Sequence, residues 1–343
     1  MGFELNKSYS GFRLTQKEEI SELKSLGLFF EHDVTGAELL VLENDDDNKV
    51  FSATFRTPPE NDTGIAHILE HSVLCGSKNF PVKEPFVELM KGSLQTFLNA
   101  MTFPDKTMYP VASRNQKDFY NLMNVYLDAV FYPTISEDTF KQEGWHYELN
   151  SPEDKIVYKG VVLNEMKGEF SSPESCIDRQ LAHSLFPSTP YGFESGGDPA
   201  CIPNLSYGEF KEFHRKHYHP SNSRLFLYGD GDTQSYLDYL QANYLKDFGL
   251  MDVNTSIPHQ RSFRKAKRKN LTYPISSHES LEKKTYVLLG YKLDKAINHE
   301  HCLGFSILSH LLLGSSASPL RKALITSELG SEVIGGGFDD NRA

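Results

Sequence analysis

The sequence predicts an α+β fold, and three observations carry that prediction. Residues 37–42 and 49–57 alternate or run apolar over strand-like lengths, whereas residues 116–131 (QKDFYNLMNVYLDAVF) place Phe119, Leu122, Met123, Tyr126, Leu127 and Val130 on one helical stripe. Strands and helices then follow one another as two α+β units with no short repeat, the second too small to close a sheet of its own. At 343 residues, 39% hydrophobic and 24% charged, the chain can bury one large core or two medium ones.

Taken in order, residues 17–26 read as a short helix. Residues 37–42 and 49–57 read as two strands of a hairpin around the acidic turn Asn44 to Asn48. Pro58 to Asp62 is a loop from which Asp62 or Thr63 can cap a helix, and Gly76-Ser77 ends that helix. Residues 85–94 read as helical. Residues 97–111 are β-rich, and because Pro104 and Pro110 cannot donate ladder hydrogen bonds, part of that stretch is expected on a sheet edge. Such an edge, beside a reactive centre, suits an extended peptide adding itself as one more strand; an internal hairpin is the plain alternative.

The stripe at 116–131 is expected to end at Pro133. Helices over 136–143 and 174–185 and a strand at 144–148 follow, and 156–163 is apolar. The Gly-rich run 192–199 lacks the order of a phosphate-binding loop and reads as a turn. Residues 206–217 and 232–248 read as helices around a strand at 224–229. Residues 254–277, with the basic run Arg261 to Lys269, read as a solvated linker, which sets domains at 1–255 and 278–343 with a linker at 256–277. A strand at 285–289 and helices at 299–313 and 319–329 lead to the Gly-rich end at 335–343.

The chemistry concentrates in HILEH at 67–71. On a helix His67 and His71 lie one turn apart on the same face, with Glu70 beside them. A chance His-x-x-Glu-His arises in roughly three in a hundred chains of this size. The flanks Ile65, Ala66, Ile68, Leu69, Val73 and Leu74 mark a buried helix, where three ionisable groups are costly unless they pair or bind a metal. A catalytic zinc takes three protein ligands. Spacing leaves the third open among Glu165 and Glu169, with Glu148 and His146 behind them.

Net charge −11 argues against a nucleic-acid surface. The four cysteines, Cys75, Cys176, Cys201 and Cys302, are scattered and suit a reducing compartment. The N-terminal stretch has neither a signal-peptide h-region nor a transit-peptide composition, and no apolar run reaches the roughly eighteen residues of a membrane helix. A cytoplasmic location without membrane contact is expected, with a mature form in the mitochondrial matrix or another organelle as the alternative.

Several stretches together resemble a known family. HILEH at 67–71, FLNAMTFPDKTMYPVAS at 97–113, GVVLNEMKGEF at 160–170, SGGDP at 195–199 and FHRKHYHPSNSRLFLYGD at 213–230 are similar, in the same order, to the first domain of the inverted zinc metallopeptidases of the pitrilysin/insulysin family, nearest its presequence protease/falcilysin branch. The resemblance implies a mostly antiparallel sheet with helices packed on one face, followed by the start of a second homologous domain. It implies one Zn²⁺ per chain on His67, His71 and Glu165, Glu70 as catalytic base, and contact of Asn99 and Ala100 with the substrate backbone. It also implies short unstructured peptides as substrates and a C-terminal half, in the same full-length chain or as a separate subunit, completing a chamber. The competing expectation is a non-catalytic zinc- or peptide-binding subunit or a truncated product.

Overall fold

The structure is a computed structural model that describes residues 2–83, 85–293 and 295–340; the expected chain end at 341–343 lies outside them. The first part of the chain forms β1 (Ser8–Tyr9), β2 (Phe12–Ile20), β3 (Ser25–His32), β4 (Glu38–Glu43), β5 (Lys49–Arg56), α1 (Ile65–Val73) and α2 (Pro85–Gly92). Then come β6 (Gln95–Leu98), β7 (Met101–Thr102), β8 (Lys106–Ser113), α3 (Gln116–Phe131), α4 (Glu137–Glu143), β9 (His146–Glu148), β10 (Val157–Lys159) and α5 (Val161–Glu169). The remainder is α6 (Pro173–Leu185), α7 (Tyr207–His217), β11 (Ser223–Gly229), α8 (Thr233–Asn243), α9 (His299–Leu313) and α10 (Pro319–Thr326).

By their packing the residues form two compact units, one of 1–170 and 193–257, the other of 171–192 and 258–343. The first holds a nine-stranded sheet in the order β1-β2-β3-β4-β11-β5-β8-β6, with β7 also on β8. Every pairing in it is antiparallel except β11 with β4. One core joins Phe51, Ala53 and Phe55 of β5 and Tyr109 and Val111 of β8 to Ile68 and Leu69 of α1 and the α3 stripe. All six residues of that stripe are buried, so α3 forms as its periodicity predicts, capped by Asn115 through its side chain to Asp118 N–H.

Several local expectations are corrected. Residues 17–26, rich in helix formers, belong instead to β2, a one-turn 3₁₀ connection and the start of β3. Phe12 and Leu14 bury one face of that hairpin while Lys17, Glu18 and Glu19 point to water, so tertiary packing overrides propensity. The strands β4 and β5 do not pair with each other, because the apolar β11 inserts between them, parallel to β4 and antiparallel to β5. Neither Asp62 nor Thr63 caps α1; Gly64 does so in a left-handed conformation, without a side-chain bond. Helix α8 stops at Asn243 rather than near 248, whereas α3 keeps its expected bounds, Gln116–Phe131. Part of the 97–111 stretch does lie on the sheet edge, in β6 and β7, but Pro110 itself sits on β8, an inner strand.

The second unit is helical among the described residues. Tyr286 donates its hydroxyl to Glu174 of α6 at 3.0 Å, and Tyr273 meets Tyr286 edge-on. The strand expected at 285–289 is absent: among the described residues 248–293 and 295–298 there is no helix or strand, and Val287 and Leu289 stand exposed with no ladder partner. Helices α9 and α10 pack on each other and leave Leu303, Leu311, Leu320 and Leu324 exposed.

Two histidines of α7 give the first unit an acid sensitivity. His214 donates to the Val130 carbonyl at 2.9 Å, and burial lowers its pKa to about 4. His217 is lowered to about 4 by burial and then by Lys216. An unfolded imidazole titrates near 6.5, so between these values the unfolded chain binds more protons than the folded one. The stability contributed by neutral burial is therefore fully present above pH 6.5 and is lost as the pH falls through about 4, up to roughly 3 kcal/mol per ring. Urea unfolding across that window should show falling stability with a shallower slope in His217→Gln; identical slopes would contradict it.

Candidate metal centre

Helix α1 carries His67, Glu70 and His71. The two imidazoles lie on one face, with ring centroids 4.9 Å apart. Both meet a carboxylate from a helix distant in sequence: Glu165 Oε2 of α5 is 3.6 Å from His67 Nε2 and 3.7 Å from His71 Nε2. One ligand atom from each of the three lies within 4.8 Å of the others, the only such group of three or more metal-ligating side chains among the described residues. His67 is buried and Glu165 exposed, so the group opens to solvent on the α5 side.

Each imidazole is oriented through its other nitrogen. His67 Nδ1 is 3.1 Å from the Gly196 carbonyl oxygen, which requires an Nδ1–H donor and directs Nε2 at Glu165. His71 Nδ1 lies 3.3 Å from Glu143 Oε2, whose other oxygen accepts from Gln142 Nε2 at 2.9 Å. Burial pulls the His71 pKa down, but the Glu143 hydrogen bond and the charges of Glu70, Glu143 and Glu165 outweigh it and hold it above the ordinary value. Burial likewise pushes Glu143 up, and the contacts with His71, Gln142 and Cys75 outweigh it and hold it below the usual carboxylate range. The His71 environment thus favours a positive charge, which a proton or a divalent cation can supply.

Close backbone contact brings the loop and helices together. Gly197 has φ +102°, and a Cβ there would stand 2.9 Å from the Gly64 Cα. The loop is further tied by Asp198 N–H to the Asp62 carbonyl at 2.8 Å and by Glu194 N–H to Asp62 Oδ1 at 2.8 Å. The run 192–199 is thus more than a turn: it seats Gly196 against His67. Gly160, just before α5, approaches the end of α4 so closely that a Cβ would lie 2.0 Å from the Gly144 carbonyl, which ties Glu165 to the helix bearing Glu143.

Glu70 is buried beside this group, and no donor among the described residues hydrogen-bonds its carboxylate. Burial, with an added contribution from the Glu70 charge, raises the phenol pKa values of Tyr109, Tyr126 and Tyr218. Asn99 and Ala100 lie between β6 and β7 at the open edge of the sheet, and β7 packs beside α1. Glu169 is one turn beyond Glu165 and outside the group; His146 and Glu148 instead pair with each other at 3.4 Å. Sequence reasoning missed Glu143 and Gly196. Glu143 has no periodic signal, and the loop's only hint was its consecutive glycines before Asp198-Pro199.

The model of the insulinase family (peptidase family M16) matches residues 55–169, and that of the M16 inactive domain matches residues 204–342. The chain belongs to peptidase family M16, in its presequence protease branch. This M16 chain is 52% identical to Protein HypA of Clostridium perfringens, over 99% of its own length and 35% of that protein. It is 51% identical to presequence protease 1, chloroplastic/mitochondrial, of Arabidopsis thaliana, over 96% of its length and 31% of that protein. To the mitochondrial presequence protease of Mus musculus it is 40% identical, covering 96% of the chain and 32% of the relative. The M16 chain therefore spans about a third of these relatives. Its fold is similar to pitrilysin (TM-score 0.54, 16% identity, 68% of this chain and 24% of that one). It is also similar to a protease from Helicobacter pylori (TM-score 0.60, 18% identity, 85% and 66%).

The loop contact yields a test. Gly197→Ala should destabilise the first unit by about 1–3 kcal/mol, through strain at positive φ and the collision with Gly64. Gly249→Ala, with open space around it, should stay within about 0.5 kcal/mol. Denaturant unfolding compares the two, and equal effects would contradict the close approach.

Proposed function

We propose that this M16 chain carries the zinc centre of a metalloendopeptidase that hydrolyses short unstructured peptides. The observation that carries this reading is the meeting of His67, His71 and Glu165 from two helices, with the unbonded Glu70 carboxylate on the same turn as the histidines. The residues fit zinc: two imidazole nitrogens with their tautomers set by Gly196 and Glu143, plus one carboxylate oxygen, form the donor set of an open catalytic site. His67, His71 and Glu165 would hold one Zn²⁺, which when bound supplies Lewis-acid polarisation of a peptide carbonyl and acidifies water.

Glu70 accepts the proton of the attacking water and passes it to the departing amine, so that an amide bond breaks near neutral pH. Asn99 and Ala100 offer the sheet edge to the peptide backbone beside α1, which sets the scissile bond by strand addition rather than by a side-chain pocket alone. A C-terminal half, in the same full-length chain or as a separate subunit, completes the site; the share of the relatives that this chain spans supports that part.

The compartment is cytoplasmic or an organelle matrix. No disulfide joins the four cysteines among the described residues, and similar proteins are named as mitochondrial or chloroplastic. No helix among the described residues is long and apolar enough to cross a membrane.

Cleavage of an unstructured peptide, followed by mass spectrometry with and without chelator, tests the reading beside Glu70→Gln. The expected result is chelator-sensitive cleavage that falls at least about 100-fold in Glu70→Gln while zinc remains bound. Chelator-insensitive cleavage, or full activity in Glu70→Gln, would overturn the assignment. Zinc binding without cleavage by the unsubstituted chain would favour a non-catalytic subunit.

A further inference from the structure

Pro110 breaks the hydrogen-bond ladder at the open edge, and the break has a specific repair. The edge keeps one register against β8 on both sides of the gap, with Leu98 opposite Val111 before it and Met101 opposite Met108 after it. Asn99 therefore faces Pro110 and Ala100 faces Tyr109. The Asn99 N–H donates to the Pro110 carbonyl at 3.2 Å. In a hydrogen-bonded antiparallel pair the reverse bond should follow, but proline has no N–H to give. The Asn99 carbonyl instead accepts from the hydroxyl of Tyr126 at 3.2 Å. Tyr126 is fully buried on α3, so its ring is fixed by the core and its hydroxyl stands where the missing donor is needed.

The repair has a consequence for the outer side of the strand. Neighbouring residues direct their backbone groups to opposite sides, so with Asn99 held inward, Ala100 directs its N–H and C=O outward. The Ala100 N–H is met by Asn99's own side chain, Oδ1 accepting at 2.9 Å. That cap shields the free edge from unwanted pairing. It is also a weak, local bond that an incoming peptide carbonyl can replace.

We infer that Tyr126 is a positioning residue for peptide capture. By supplying the donor that Pro110 lacks, it keeps Asn99 and Ala100 in strand geometry, so that displacement of the Asn99 side chain presents an outward backbone pair to the substrate. This inference rests on the peptidase reading given above for the same edge.

The test uses the zinc-loaded chain and a fluorescein-labelled unstructured peptide. Affinity is measured in a Glu70→Gln background that keeps the peptide intact, and turnover with Glu70 present. Tyr126→Phe removes only the hydroxyl and should weaken peptide binding, and raise KM, about 5- to 30-fold, with zinc content unchanged and kcat within about twofold. Adding Pro110→Ala restores the backbone donor, and the double variant should return to the parent's affinity. Unchanged affinity in Tyr126→Phe, or a loss that Pro110→Ala does not rescue, would overturn the inference while leaving the peptidase reading intact. If the parent neither binds nor cleaves the peptide, the peptidase reading falls. Amide hydrogen exchange over residues 99–101 then decides the inference: acceleration in Tyr126→Phe with recovery in the double variant supports it, and unchanged exchange overturns it.

Discussion

Holding a buried imidazole, a half-buried one and a buried carboxylate on one turn of an apolar helix is the constraint on which the rest of the first unit depends. Ile65, Ala66, Ile68, Leu69 and Val73 bind α1 into the core, so His67, Glu70 and His71 cannot escape to water by a small shift. Groups held in this way must find partners or lose their charge. The fold supplies the two imidazoles with partners from three directions: Gly196 from a loop, Glu143 from the end of α4 and Glu165 from α5. Each partner has a backbone reason for being there, and the Gly64–Gly197 and Gly144–Gly160 approaches are the tightest of them.

The same helix links this group to the sheet edge. Helix α1 packs beside β7, and α3 packs under β8 and β6, so the ionisable cluster and the open strand share one core. Tyr126 belongs to both: its ring completes the α3 stripe, and its hydroxyl closes the gap that Pro110 leaves in the ladder. A peptide laid on that edge would be held by backbone geometry, a mode tolerant of side-chain identity.

Much of this was legible in the sequence, and the limits were physical. The α3 stripe was read residue by residue, because a helix buried along one side repeats its apolar positions at a period that no other element mimics. The His-x-x-Glu-His spacing singled out the turn whose histidines meet Glu165, and the resemblance named Glu165 where spacing alone left Glu169, Glu148 and His146 open. Residues 17–26 failed because strongly helical composition sat on the wet side of a hairpin, where packing of Phe12 and Leu14 decided the outcome. The expected β4–β5 hairpin failed because β11, far along the chain, takes the place between them; local pattern carries no record of such an insertion. Glu143 and Gly196 were invisible for the same reason, since both act through contacts distant in sequence from the histidines they orient.

The central claim is that α1 and α5 together make one zinc site from two histidines and one glutamate. Zinc-edge X-ray absorption on the chain loaded with one equivalent of metal tests it most directly. The account predicts two imidazole nitrogens at about 2.0–2.1 Å with oxygen completing the shell, and no sulfur. A sulfur scatterer near 2.3 Å, or a signal unchanged in His71→Ala, would contradict it.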